Sequence, residues 1–269
     1  GLLIADVSDP NQPSEIGSFT MDWAYDVAIV ENYAYVNTGS SPLNIINISD
    51  PTEPHETGYY DTPGTTTHVV INSDYLYVSA GSNGLYILDI SDPAEPQETG
   101  YFDTPGNARG VAVDGNYAYV ADGDSGLVII DVSDPAEPRK TGSFDTPGGA
   151  NGVTVDGNYA YVADGGGLVI INVSDPAEPH ETGYFDTPGN ARGVEIAGDY
   201  AYVADHEFGL RIINVLDPSS PHEVGYYDTF GITGNVSVGS DGLIYVADRT
   251  NLGIYDATEA YGIAPDLNL

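Results

Sequence analysis

The chain has no cysteine and only one lysine, Lys140, among its 269 residues. Without cysteine it forms no disulfide, offers no thiolate nucleophile and excludes zinc sites built on sulfur. Basic residues number 6 against 41 acidic ones, a formal net charge of −35 at pH 7. Such a surface repels nucleic acid and anionic membrane. It gathers cations instead, and it suits a salt-rich or extracellular milieu whose ions screen the self-repulsion. No apolar run approaches the ~18–20 residues of a membrane helix. Helical periodicity is missing too, and prolines recur too often for helices to run. There is no Gly-x-Ser-x-Gly elbow and no His-x-x-His pattern.

What is present is one phrase said many times. Gly126–Gly166 nearly repeats the segments before and after it, and the GLxIxD phrase starts at Gly1, Pro42, Gly84, Gly126, Gly167, Gly209 and Asn251. The spacings are therefore 41 or 42 residues throughout. A fixed period of this length marks a repeat architecture, whose units bury their apolar faces only by stacking on neighbours.

Each unit reads as four short strands. GLVIIDV (126–132) is an apolar, β-branched run closed by Ser-Asp-Pro, and KTGSFDT (140–146) follows a Pro-rich turn. GVTV and YAYVAD (152–164) flank Asp-Gly-Asn, which supplies the positive-φ residue of a hairpin. Four strands per ~40 residues, iterated, predict an all-β, six-bladed β-propeller over residues 1–257, with 258–269 as a tail. With strands lettered a to d from the axis outward, a-strands start near Asp26, His68, Gly110, Gly152, Gly193 and Asn235. There are six a, b and d strands but seven c-phrases. The expectation is closure by pairing of the C-terminal a and b strands, 234–248, with strands at the N-terminus. One c-strand, 2–5 or 252–256, is then left over as an edge or for a neighbouring molecule.

The phrases GLVIIDVSDP, GYFDTPGNARGVAV and NYAYVAD resemble the LVIVD repeat family of bacterial and archaeal cell-surface proteins, over roughly residues 1–256. The resemblance implies a propeller-like fold and a location at the cell surface or outside the cell. It brings no reaction and no catalytic residues. Because Gly1 falls directly in the repeat, the chain reads as a mature product or an excised module. Asn-x-Ser sequons at Asn47, Asn172 and Asn235 are compatible with surface glycosylation.

Candidate chemistry gathers on the face carrying the d–a and b–c loops. Tyr25, Asp26, Thr67, His68, Arg109, Asn151, Arg192, Gly234 and Asn235 stand at the heads of the a-strands, near b-strand ends such as Asp122, Asp164, Asp205 and Asp248. This is either a polar mouth for a glycan or another charged or hydroxylated ligand, or a set of Arg–Asp pairs that orient the blades. Breaks in the repeat point more locally. They are Met21–Tyr25 with the sole tryptophan, Trp23; Asp205-His206-Glu207-Phe208; and Thr229-Phe230-Gly231. Aromatic groups beside polar ones suit sugar stacking or a protein contact. Asp122 and Asp124 could hold a hard cation such as calcium, although no glutamate stands where an EF-hand needs one. His55, His180 and His222 occupy one repeat slot and read as rim residues. The sequence thus favours a secreted or surface-displayed, non-catalytic module for adhesion, glycan or protein binding, or assembly. Its alternatives are a carbohydrate-active hydrolase or lyase working through His68, His206 and nearby aspartates, and a structural protomer joined by strand exchange.

Overall fold

The computed structural model describes residues 1–39, 42–229, 231–239, 241–248 and 251–256, and among these there is no helix. The fold is a β-propeller of antiparallel blades, with twenty-five strands among the described residues. β1 (Leu2–Asp6) and β2 (Ser14–Phe19) form a two-stranded sheet. Blade one is β3 (Asp26–Val30), β4 (Tyr33–Asn37), β5 (Leu43–Asn47) and β6 (His55–Tyr60). Blade two is β7 (His68–Asn72), β8 (Tyr75–Ser79), β9 (Leu85–Asp89) and β10 (Gln97–Phe102). Blade three is β11 (Gly110–Asp114), β12 (Tyr117–Ala121), β13 (Leu127–Asp131) and β14 (Arg139–Phe144). Blade four is β15 (Gly152–Asp156), β16 (Tyr159–Ala163), β17 (Gly165–Asn172) and β18 (His180–Ala191). Blade five is β19 (Gly193–Ala197), β20 (Tyr200–Ala204), β21 (Leu210–Asn214) and β22 (His222–Tyr227). A sixth sheet holds β23 (Thr233–Val238), β24 (Leu243–Asp248) and β25 (Asn251–Asp256). In each blade the four strands pair in sequence order.

Among the described residues the expected closure is not the pairing that forms. β24 pairs with β23 and β25, while the strand partner of β1 is β2. β25 wins by proximity. Only residues 249–250 separate it from β24, and a two-residue connection costs far less entropy than bringing in a strand some 240 residues away. The tail 258–269 and Arg249 lie outside the described residues.

Two compact units can be described, residues 1–120 with 130–140, and residues 121–129 with 141 onward. In each, the core is made at junctions between blades. In the first unit, Tyr35, Leu43 and Ile45 of blade one pack with Val69, Leu76 and Val78 of blade two. In the second, Tyr161, Leu168 and Ile170 of blade four pack with Val194, Ala201 and Val203 of blade five, and Tyr202, Leu210 and Ile212 pack with Val236, Ile244 and Val246. Each of these junctions lays b- and c-strand residues of one blade on the inner strands of the next. This is why the b and c strands are apolar on both faces, whereas d-strands alternate.

Turn chemistry accounts for the rest of the repeated phrase. At the end of the c-strands from β1 to β21 an Asp or Asn side chain accepts the amide of the residue two further on, as at Asp131 with Ser133 (2.9 Å) and Asp89 with Ser91 (2.9 Å). These serine bonds, hydroxyl and amide, hold the two partly exposed carboxyls below their usual value. The sequons at Asn47 and Asn172 are the amide version of this turn, with Ser49 and Ser174 donating at 2.9 and 3.0 Å. Their spacing therefore has a folding reason.

Candidate functional site

The b–c loop of each blade clasps the crossover leading into the next one. Gly81 exchanges backbone hydrogen bonds with Ala108 (3.0 and 2.9 Å), and Gly123 does so with Ala150 (3.1 and 2.9 Å). Gly165 pairs with Ala191, Thr66 donates its amide to Gly39 (2.9 Å), and Thr233 donates its amide to His206 (3.0 Å). The aspartates at the b-strand ends serve this clasp. Asp164 is buried and accepts the amides of Gly148 (2.9 Å), Gly166 (3.2 Å) and Gly167 (3.0 Å). Asp205 is buried in the same way, bonded by Thr187 Oγ1 (2.7 Å) and the Gly189 amide (2.9 Å).

This sorts the sequence candidates. Asp122 is fully buried in the aspartate slot of the clasp, whereas Asp124 is exposed beside it. Asp124 lines an open cleft of about 560 Å³ with Asp145, Thr146, Pro147, Gly148, Gly149 and Glu181. Among the described residues no three His, Asp or Glu side chains converge as a metal-ligand set. Asp26 and His68 come together, with Nε2 3.6 Å from Oδ2, and the same Asp26 oxygen accepts the Val69 amide at 2.9 Å. Asn151 donates its side-chain amide to the Ala191 carbonyl (2.8 Å), so it ties blade four to the next crossover. Asn235 is exposed and caps its own strand through Val236 (3.0 Å), and Arg109 and Arg192 are exposed. Trp23 and Tyr25 are exposed in the first unit, whereas His206 and Phe208 belong to the second. Phe230 lies outside the described residues.

Blade five carries a constellation that departs from the repeat in chemistry as well as in sequence. Its b–c loop places His206 at φ +52°, where the other blades use glycine, for example Gly123 at +59°. Its c-strand reads LRIIN, so Arg211 occupies a position that is Val128 in blade three and Val169 in blade four. The Arg211 side chain is nearly buried, at 8% exposure, and bridges two carboxylates. Nε is 3.6 Å from Asp205 Oδ2 and Nη1 is 3.5 Å from Glu223 Oε2. Its guanidinium lies 4.8 Å from the Tyr226 ring centroid and 5.9 Å from that of Phe208. Both rings face solvent as well, at 58% and 42% exposure. The arrangement is a nearly buried cation with two aromatic rings and two carboxylates close to it.

Arg211 was not singled out from sequence. The signal was there, as the one arginine in a slot that is otherwise apolar, polar-neutral or aromatic. Its partners Asp205 and Phe208 come from the b–c loop, and Glu223 and Tyr226 from β22. A second departure is Glu195, half-buried in β19 where the other blades carry Ala28, Val70, Ala112 and Thr154. Burial raises its carboxyl above the ordinary 4.5. A raised acid destabilises the fold only while ionised, so the penalty is absent below the unfolded value and grows as pH rises through the folded one. Glu195→Gln is therefore expected to raise Tm at pH 7, with the gain disappearing below about pH 4. Paired thermal melts across that range check it.

A family model described as the LVIVD repeat matches residues 1–21, 23–62, 63–104, 105–146, 147–187 and 188–229. Among solved structures, a protein from Lactobacillus plantarum has a TM-score of 0.81 at 14% identity, covering 93% of this chain and 86% of that one. A functionally unknown protein from Desulfotomaculum acetoxidans has a TM-score of 0.72 at 13% identity, over 87% and 78% of the two chains. A protein of unknown function from Bacteroides thetaiotaomicron has a TM-score of 0.62 at 14% identity, over 88% and 70%. At such identities the likeness is one of fold alone. No curated protein matches the sequence.

Proposed function

We propose that this chain, which belongs to the LVIVD repeat family, is a non-catalytic binding module working at the cell surface or outside the cell, with a glycan site on blade five. The observation that carries this reading is the exposed pair Phe208 and Tyr226 close to a nearly buried Arg211. Aromatic faces stack on the C–H faces of sugar rings, and fixed carboxylates beside them accept sugar hydroxyls. Glu223, still partly exposed, is the acceptor within reach of such a ligand. Arg211 fixes both rings and both acids, so little order is lost on binding.

The same contacts favour binding over hydrolysis. Glycoside cleavage needs one carboxylic acid and one free carboxylate facing each other. Here Asp205 and Glu223 are both engaged by the same guanidinium. The charge of −35 fits an extracellular, ion-screened milieu.

A panel of neutral and acidic polysaccharides, applied with and without calcium, tests the proposal. The protein is expected to be retained on at least one of them without releasing reducing ends, and Tyr226→Ala is expected to lose most of that retention. Retention undiminished in Tyr226→Ala, or no retention by any polysaccharide, would count against the site.

A further inference from the structure

Blade one differs from the others in what covers its inner strand. In the other blades the corresponding a-strand valine is buried: Val69, Val111, Val153, Val194 and Val236 are 1–8% exposed. Its counterpart Val27 is 43% exposed, and Ile29, two residues on, is 62% exposed. Two large apolar side chains thus lie exposed on one face of β3. Trp23 and Tyr25, at 81% and 67%, precede them in a lead-in, residues 22–25, that is exposed throughout.

The internal junctions say what belongs there. Val69 lies in one cluster with Tyr35, Leu43 and Ile45 of the preceding blade, Val194 with Tyr161, Leu168 and Ile170, and Val236 with Tyr202, Leu210 and Ile212. The cover is always a b-strand tyrosine beside a c-strand. Blade one has only the outer half of such a cover. Leu2 of β1 and Phe19 of β2 pack, with Met21, on Ala34, Val36 and Ile46. Gly17 of β2 also abuts the Pro51 carbonyl, as other d-strand glycines abut the proline of the following blade. β1 and β2 therefore act as c and d strands, and the far edge of β1 has no paired strand among the described residues. What is missing is an a–b hairpin.

This chain carries one such hairpin whose own outward face is underused. In β24, Tyr245 is half-buried and Ala247 exposed, whereas their counterparts Tyr119, Tyr161 and Tyr202, and Ala121, Ala163 and Ala204, are all buried. β25, which occupies the edge of β24, carries the same phrase as β1, NLGIYD against GLLIAD. Since Tyr245 pairs with Ile254 and Val246 with Gly253, β1 would enter with Ile4 and Leu3 in those places.

We infer that the open face of blade one is an interface for a second copy of this chain, whose β23–β24 hairpin pairs with β1 and covers Val27 and Ile29 in exchange for β25. The exchange keeps the number of strand pairs and adds buried apolar surface, which supplies the driving force. The contact is heterologous, so each copy still offers the other half, and association propagates to closed rings or filaments. The inference does not rest on the glycan site of blade five, and the two fail separately.

The lack of native cysteine makes the test direct. One preparation carries Leu3→Cys and another Val246→Cys, and the two are mixed under mild oxidation. A two-chain disulfide product is expected, together with a light-scattering mass that rises with concentration. Val27→Asp is expected to weaken association at least tenfold with Tm unchanged, because the site is open in the single chain. Leu216→Asp, at a more exposed position on a c–d loop, is expected to leave association intact. A mass of one chain at all concentrations overturns the inference. So does a mixture that yields no cross-linked product while the doubly substituted chain closes only on itself.

Discussion

Gly100→Ala is expected to cost the fold about 3 kcal/mol or more, the upper end for added volume in a packed interior. A methyl built on Gly100 overlaps the carbonyl oxygen of Pro135 and crowds Pro138. Both obstacles belong to the c–d turn of the next blade and neither has a rotamer to yield. Gly142 stands in the same relation to Pro176 and Pro179. Gly142→Ala should therefore cost as much, and the double variant should exceed a large part of the 5–15 kcal/mol typical of a folded domain. Gly115→Ala is the contrasting case. Nothing lies near its added methyl, and only the φ of +55° resists, at about 1 kcal/mol. Urea melts of the three single variants check the ordering. Equal losses would remove the close approach of d-strand to proline from the explanation.

Arg211→Ala carries the second large effect, about 3–5 kcal/mol, as expected when one partner of a buried ion pair is removed. In a chain of this size that corresponds to a drop in Tm of roughly 10 °C. Asp205 remains fully buried without its counter-charge, and Phe208 and Tyr226 lose the plane they stack on. The loss should depend on pH in a definite direction. Burial already holds the Asp205 carboxyl above its ordinary 3.8, against the opposing bonds from Thr187 and Gly189 and the charge of Arg211. Taking the arginine away raises it further. A raised acid contributes stability that is complete below the unfolded value and is lost as pH rises through the folded value. The deficit of Arg211→Ala should therefore be largest near neutrality and shrink toward about pH 3–4. Arg211→Lys keeps the charge but not the flat guanidinium, and should fall between the two. A deficit independent of pH would mean that only packing had been lost.

The repeat period made the blades legible before any coordinate was known. It put every a-strand within two residues of its observed start, and it counted six, six, seven and six strands, as the described residues have them. It did not choose which c-strand pairs with β24. GLLIAD and NLGIYD satisfy the same pattern, and the choice fell to loop length, which a pattern of side chains does not encode. Asp122 and Asp124 look alike in sequence, yet one is a buried part of the clasp and the other a solvated rim group. Of the exceptions to the repeat, Trp23 belongs to the first compact unit and Phe208 to the second, a division that the repeated phrase does not encode. Arg211 escaped notice because a single arginine on a strand is an ordinary surface residue until burial and partners are known. Val27 and Ile29 looked fully regular, and only their exposure sets them apart.

The claim that function sits in the exceptions meets its most direct test in a titration of the best-retained polysaccharide against the intact protein and Phe208→Ala, followed by calorimetry. The side chain of Phe208 is partly in solvent, so its removal should leave Tm within about 2 °C, as for surface changes generally. Affinity should fall at least tenfold, about 1.4 kcal/mol, on loss of one stacking ring. An unchanged affinity in Phe208→Ala would contradict the assignment of ligand binding to blade five.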